Sequence, residues 1–348
     1  MKKLYFYGIR GTPLNIFSSF LSNRTQCVKI NSTLSSFSSI NRGLPQGSIL
    51  SATLFLLFIN DIVNCSTKLH FHLFADDTCI YLNDFSIQNL YTNMNEELVK
   101  VEEYLAANKL SLNTGKTIHM LFGGRRTFQN LPNLYIYGNI IERKESTKFL
   151  GIFIDQKISW KSHADFIIGK LSRILGILGK INDLLTLSAL KNLYLSLFQP
   201  SIQYGLIFWY SVSSELKNKI FRKQKIAIRL MNRSSRYSST HSLFLKSKIL
   251  KLEDLYRLEA CKFIQQEICF SNHFSLTPNY LVHGYPTRSN LNIHSRLYRT
   301  QIGSRFILSN GVKLYNELDD STKEIDSVHK FKCKLKLDIL YDYNSPID

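Results

Sequence analysis

The 348-residue chain is 44% hydrophobic and 20% charged, a composition that builds buried cores and excludes a disordered polypeptide. Its 44 Lys plus Arg outweigh 26 Asp plus Glu, leaving a net charge of +18 and pointing to a polyanion partner, nucleic acid foremost. Gly8 and Arg10 interrupt the apolar start, and no apolar run approaches the ~20 residues of a membrane span, so neither a signal peptide nor a membrane partner is expected.

At this length two or three domains are expected. Residues 4–7 and 14–21 read as helical pieces separated by the Gly11-Thr12-Pro13 break. Residues 26–30 have strand character, and the Ser-rich stretch 32–39 holds a hairpin turn. No Asp or Glu precedes Asp61. Gly43-Leu44-Pro45-Gln46-Gly47-Ser48 then forms a turn in which Gly47 admits a close backbone or ligand approach. Residues 49–62 are apolar on nearly every side, which predicts a buried helix.

Next, Leu69, Phe71 and Leu73 alternate with His70 and His72, the period of a half-buried strand, and residues 78–82 are again β-branched and aromatic. Asp76-Asp77 falls between the two strands. Such a pair is either an ordinary turn or two like charges whose repulsion a cation relieves. Leu90, Met94, Leu98, Val101 and Leu105 recur at helical spacing, with Glu96, Glu97, Glu102 and Glu103 on the other faces, and Asn108 stops the helix. Gly115-Lys116-Thr117 lacks the glycine that a phosphate-binding loop needs at position 110, which is Leu110, and it leads into a strand at 118–122 rather than a helix. Residues 134–141 are a hairpin turning at Gly138-Asn139, and 148–154 a short strand containing a glycine.

From Ser159 the pattern becomes helical, over 166–181, 188–197 and 215–231. The fold class is therefore α+β: an antiparallel sheet with packed helices to about residue 155, then a mainly helical part. Residues 157–262 hold 19 Lys plus Arg against 6 Asp plus Glu. Within 217–236 every charge is positive, and Leu216, Ile220, Ala227 and Met231 give that helix a packing stripe that leaves the cations outside. The six cysteines (Cys27, Cys65, Cys79, Cys261, Cys269, Cys333) form no CxxC pair and no zinc spacing; they read as reduced thiols of an intracellular protein, cytoplasmic or nuclear, with no structural zinc expected.

In this order the segments GLPQGSILSATLF, FADDT, KLSLNTGKT and KFLGIFID, followed by the basic helical region, resemble the reverse transcriptases of non-LTR (LINE-type) retrotransposons, nearest the jockey-like group. The resemblance extends to YPTRSNLNIHSRLYRTQIGSRFILSNGVKLYNEL, which is similar to the tail after the thumb of such elements. It implies partial fingers and palm over 1–155, a basic helical thumb over 156–240 and a C-terminal extension over 241–348. It also implies RNA-directed DNA polymerase chemistry on an RNA template, a DNA primer and dNTPs, with two Mg²⁺ ions.

By resemblance Asp76 is a metal-binding catalytic carboxylate and Asp77 its weaker neighbour. Lys116 lies near the incoming triphosphate as a proton donor, and Pro45, Gln46 and Gly47 lie against template and nucleotide. Phe149, Leu150 and Gly151 grip the primer end, and Lys217, Lys219, Arg222, Lys223 and Arg229 hold the nucleic-acid backbone. The family's other catalytic aspartate sits on an earlier palm strand, and no carboxylate in residues 1–60 stands in for it. The expectation is thus a truncated, inactive polymerase; the alternatives are a nucleic-acid-binding remnant without catalysis and a relic or incomplete reading frame.

Overall fold

A computed structural model describes residues 1–40, 43–123, 130–271, 273–282, 291–294 and 298–343. Of the tail resemblance at 285–318, residues 285–290 and 295–297 lie outside that set. Among the described residues, 1–119 and 130–143 form one compact unit, and 120–123 and 144–343 another.

The first unit begins with helices α1 (Lys2–Phe6) and α2 (Thr12–Leu21); Thr12 and Pro13 lie inside the first turn of α2, where Pro is tolerated, rather than in a break before it. Strand β1 (Arg24–Gln26) pairs with β4 (Ser38–Ile40), enclosing a hairpin of β2 (Lys29–Ile30) and β3 (Thr33–Leu34) that turns at Asn31-Ser32. The strand expected at 26–30 is therefore two pieces.

Helix α3 (Ile49–Ile59) continues as a 3-10 turn through Cys65. It is not the buried helix its composition predicts: within α3 only Leu54 and Ile59 are buried, and Ile49 is 93% exposed. A helix apolar all round needs cover on every side, and the elements of this unit cover one stripe of it. That stripe is anchored by polar contacts. Lys3 Nζ donates to Phe58 O and Asp61 Oδ1, each at 2.7 Å, and the Tyr104 hydroxyl donates to Asp61 Oδ1 at 2.5 Å. Burial opposes the charge on Asp61, but the Lys3 and Tyr104 hydrogen bonds outweigh it and hold its carboxyl below the usual range.

Strands β5 (His70–Phe74) and β6 (Asp77–Tyr81) form an antiparallel hairpin that packs on α4 (Ile87–Ala107), which Asn108 ends as predicted. Glu97 departs from the expected pattern. It faces inward, 1% exposed, accepting from Ser66 Oγ at 2.7 Å and from Lys100 Nζ at 2.8 and 2.9 Å.

Strand β7 is only Ile118–His119 and pairs in parallel with β10 (Glu142–Arg143). β8 (Tyr135–Ile136) and β9 (Asn139–Ile140) turn at Tyr137-Gly138, one residue earlier than the sequence suggested, with φ of +48° and +71°. Two positive φ values are what a two-residue hairpin loop of this hand requires. Among the described residues the strands form six two-stranded pairs rather than one sheet.

The second unit opens with β11 (Ser146–Phe149) and β12 (Ile152–Asp155), a hairpin where one strand was expected. Leu150 and Gly151 turn it, with φ of +45° and +85°. The Asp155 carboxylate then accepts from the backbone N–H groups of Lys157, Ser159 and Trp160, which starts α5 (Lys161–Ile181). Helices α6 (Leu187–Leu193), α7 (Gln199–Gln203), α8 (Leu206–Trp209), α9 (Ser214–Met231), α10 (His241–Ser247), α11 (Leu252–Gln266), α12 (Asn279–Val282), α13 (Gln301–Arg305), α14 (Ile307–Asn316), α15 (Asp320–Lys323) and α16 (Val328–Asp342) follow. One hydrophobic core runs through them from Ala164 to Tyr343, with Trp209, Tyr194, Phe198, Phe244 and Phe331 fully buried.

His163, on the first turn of α5, is 2% exposed; its Nδ1 accepts from the Phe153 N–H at 3.3 Å, and its Nε2 has no partner among the described residues. Burial pushes its pKa down to about 4 from the usual 6.5. The unfolded chain therefore takes up a proton at this site between pH 6.5 and about 4, while the folded chain does not. Stability from neutral His163 is fully present above pH 6.5 and is lost as the pH falls toward 4, by up to ~1.4 kcal/mol per pH unit. Urea unfolding at pH 7, 6 and 5 is expected to show this slope, and His163→Gln to flatten it; an unchanged slope in that variant would contradict the assignment.

Candidate active-site hairpin and basic helix

The β5–β6 hairpin presents two different faces. Leu69, Phe71, Ile80 and Leu82 pack with Val101 and Leu105 of α4, whereas the His70 and His72 rings stack on Tyr81 at 4.8 and 5.3 Å on the outside. The loop is the two residues Ala75 and Asp76, with Ala75 at φ +52°, a conformation that costs a residue bearing a Cβ. Asp76 and Asp77 are exposed beside the 62%-exposed Phe74, and neither carboxylate has a hydrogen-bond or ion-pair partner among the described residues. Two adjacent anions held at a hairpin tip without a counter-charge repel each other, and a cation removes that cost.

The donors suit a hard ion: carboxylate oxygens fit Mg²⁺, which keeps several waters and uses one or two protein carboxylates. Among the described residues no third His, Cys, Asp or Glu joins them in a group able to cage a metal. What is present fits a ligand pair for one hydrated Mg²⁺.

Pro45 O accepts from Ser48 N–H at 3.4 Å and from Ser51 Oγ at 2.6 Å, closing a turn with Gly47 at φ +84°. Gln46 and Gly47 are exposed at its tip. Lys116 is exposed in a turn held by its N–H to Asn113 Oδ1 at 3.2 Å, and no hydrogen bond or ion pair links it to Asp76 or Asp77 among the described residues. Phe149, Leu150 and Gly151 form the tip of the β11–β12 hairpin in the second unit.

Tyr204, which carries no sequence signal, clamps that tip. Its hydroxyl donates to Leu150 O at 2.5 Å, and a Cβ on Gly151 would lie 3.2 Å from its ring. The next residue, Gly205, has φ +64° and sits so close to β12 that a Cβ there would meet Ile152 Cδ1 at 2.5 Å.

On α9 the expected packing residues Leu216, Ile220, Ala227 and Met231 are all buried, and Gln224 and Ile228 join them. The cations divide into two groups. Arg229 Nε donates to Ser238 O at 3.0 Å, Arg233 donates to Asn182 O and Leu185 O, and Lys219 pairs with Glu215 at 2.6 Å. Arg222 and Lys223 have no such partner among the described residues, and Lys217 stands over the Tyr210 ring at 4.4 Å.

Residues 1–154 match the family of reverse transcriptases (RNA-dependent DNA polymerases), and this domain holds the Asp76-Asp77 hairpin. The chain is 26% identical over 262 residues to the RNA-directed DNA polymerase from mobile element jockey of Drosophila melanogaster, covering 72% of this chain and 28% of that protein. It is 23% identical over 262 residues to the Drosophila funebris jockey polymerase. It is 27% identical over 179 residues to the Pol polyprotein from type-1 retrotransposable element R1 of Bradysia coprophila, covering 49% of this chain and 18% of that protein. In sequence the chain is thus similar to the reverse transcriptases of non-LTR retrotransposons, and it spans little more than a quarter of the length of the jockey relatives it matches.

Proposed function

We propose that the chain is the palm-and-thumb portion of an RNA-directed DNA polymerase acting on an RNA template, a DNA primer and dNTPs. The observation that carries this is the solvent-exposed, unpartnered Asp76-Asp77 pair at a hairpin tip inside a reverse-transcriptase domain. Residues 1–155 are the partial fingers and palm, 156–240 the thumb and 241–348 an extension.

Asp76 and Asp77 would hold Mg²⁺, which when bound stabilises the attacking and leaving oxygens of nucleotidyl transfer. The exposed backbone of Gln46 and Gly47 approaches template and nucleotide, Lys116 supplies a proton to departing pyrophosphate, and the Leu150-Gly151 tip orients the primer end. The α9 cations hold the duplex by its phosphates, Arg222 and Lys223 most freely. Six free cysteines suit a reducing intracellular setting.

With a single carboxylate pair and no third metal ligand beside it among the described residues, this stretch taken alone is expected to bind nucleic acid without polymerising. Primer extension on an RNA template with Mg²⁺ is expected to give no product above that of Asp76→Asn. Templated synthesis that Asp76→Asn abolishes would overturn the inactivity and leave the polymerase assignment standing. Binding to an RNA–DNA duplex is expected to survive Asp76→Ala. Reversing Arg222 and Lys223 to Glu should lower the slope of log affinity against log salt by about 2.

A further inference from the structure

Two cavities in the second unit carry charged linings, and they differ in how the charges are spent. In the first, about 230 Å³, the charges are paired within the lining: Glu259 accepts from Lys262 at 2.7 Å and from Gln203 at 2.6 Å. The second, about 310 Å³, lies between the start of α9 and the α13–α14 junction and is lined by Tyr210, Ser213, Ser214, Lys217, Arg305 and Asn310. Neither Lys217 nor Arg305 forms an ion pair among the described residues, and the Ser213 and Ser214 hydroxyls have no hydrogen-bond partner there. The Lys217 stem is half-buried, with its ammonium held over the face of Tyr210 at 4.4 Å, so it has little freedom to swing out to solvent.

From these contacts we infer that this pocket is a binding site for a phosphate group, with Lys217 and Arg305 as its charged clamp and the Ser213 and Ser214 hydroxyls as neutral donors. Two cations converging on one concavity repel each other, and a bound dianion or phosphodiester reverses the sign of that interaction. Arg305 supplies a planar fork suited to two phosphate oxygens, and Lys217 a point charge. Burial pulls the Lys217 pKa down and Arg305 lowers it further; Glu253 is the carboxylate whose field reaches it, without pairing to it.

The pocket extends the nucleic-acid reading of α9 to a residue of the C-terminal extension, and it rests on that reading only for the source of the phosphate. Isothermal titration of the whole chain with inorganic phosphate, against chloride at matched ionic strength, tests the pocket by itself. Saturation at one site is expected, weakened about tenfold by Lys217→Gln or Arg305→Gln and unchanged by Lys330→Gln, an exposed lysine of α16 outside the pocket. Ser213→Ala, which leaves both charges in place, is the second variant if either charge variant lowers the thermal midpoint, and should weaken binding about threefold. Binding no tighter than chloride's, or equal in wild type and all pocket variants, overturns the site.

A second arm distinguishes the sources with one RNA single strand, bearing or lacking a 5′-phosphate. A preference for the phosphorylated end that Arg305→Gln removes assigns a terminal phosphate. Equal binding of both strands, weakened by either charge variant, assigns a backbone phosphodiester. RNA binding indifferent to both variants, with inorganic phosphate binding lost in them, assigns free phosphate to the pocket and leaves the α9 reading to Arg222 and Lys223.

Discussion

Trp209→Ala is expected to lower the stability of the second unit by about 4 kcal/mol, near the upper end for a large-to-small core change. The indole is fully buried between α5 and the chain around Gly205, with its ring centroid 6.1 Å from that of His163, so no neighbour can fill the space it leaves. The variant also removes a hydrogen bond, because Trp209 Nε1 donates to Tyr204 O at 3.1 Å. An unpaired carbonyl then joins the cavity cost. The same peptide carries the Tyr204 ring, whose hydroxyl holds Leu150 in its left-handed conformation, so loss of the indole also loosens the 149–151 tip. For a unit of this size the midpoint should fall by roughly 8–16 °C. Trp209→Phe keeps most of the volume and should recover more than half of the loss. Calorimetry of the two variants checks this; an alanine variant melting with wild type would show that the core is not anchored here.

Glu97→Ala is the second large effect, about 2–3 kcal/mol in the first unit. The carboxylate is 1% exposed, yet Lys68 and Lys100, which cover it at 3.7 and 2.8 Å, are each about half exposed. Those two lysines return to water cheaply when Glu97 is removed, which keeps the cost below the 3–5 kcal/mol of a fully buried pair. The heavier loss is at Ser66. Its hydroxyl donates to Glu97 and accepts from the N–H groups of Lys68 and Leu69, and so fixes the entry into β5 and the Asp76-Asp77 hairpin. Hydrogen bonds from Lys100 and Ser66 hold the Glu97 carboxyl below its usual pKa. Its stabilisation is therefore complete above the unfolded value near 4.5 and is lost as pH falls through the folded one. Denaturant unfolding should show a full gap between wild type and variant at pH 7 that shrinks at pH 3; a constant gap would mean that the charge contributes nothing. Glu97→Gln keeps an acceptor for Ser66 and should lie between the two.

Much of the architecture follows from periodicity. The 3.6-residue repeats that predict helices at 90–105, 166–181 and 215–231 correspond to α4, α5 and α9, because each repeat carries a stripe that only a helix buries. The acidic pair at a hairpin turn was legible for the same kind of reason, since alternation fixes which residues of β5 face α4. Turns were harder to place. The segment 148–154 reads as one strand because Leu150 gives no sign of a left-handed backbone, and the Tyr204 hydroxyl that holds it there lies 54 positions away. The exposed flank of α3 is invisible in the sequence for the opposite reason: composition reports how apolar a helix is, not how much surface its neighbours offer.

What depends on local chemistry is readable from the residues alone: the α+β class, the basic helix, the similarity to reverse transcriptases and the place of Asp76 and Asp77 at a hairpin turn. Which charges are free depends on long-range packing. Glu97 and Arg229 look like surface charges in the sequence, yet one is buried under two lysines and the other donates to Ser238 O. Lys217 and Arg305, 88 positions apart, line one pocket with no carboxylate paired to either among the described residues. Charge type is written in the residue, but its partner is set by which distant segments the core brings together.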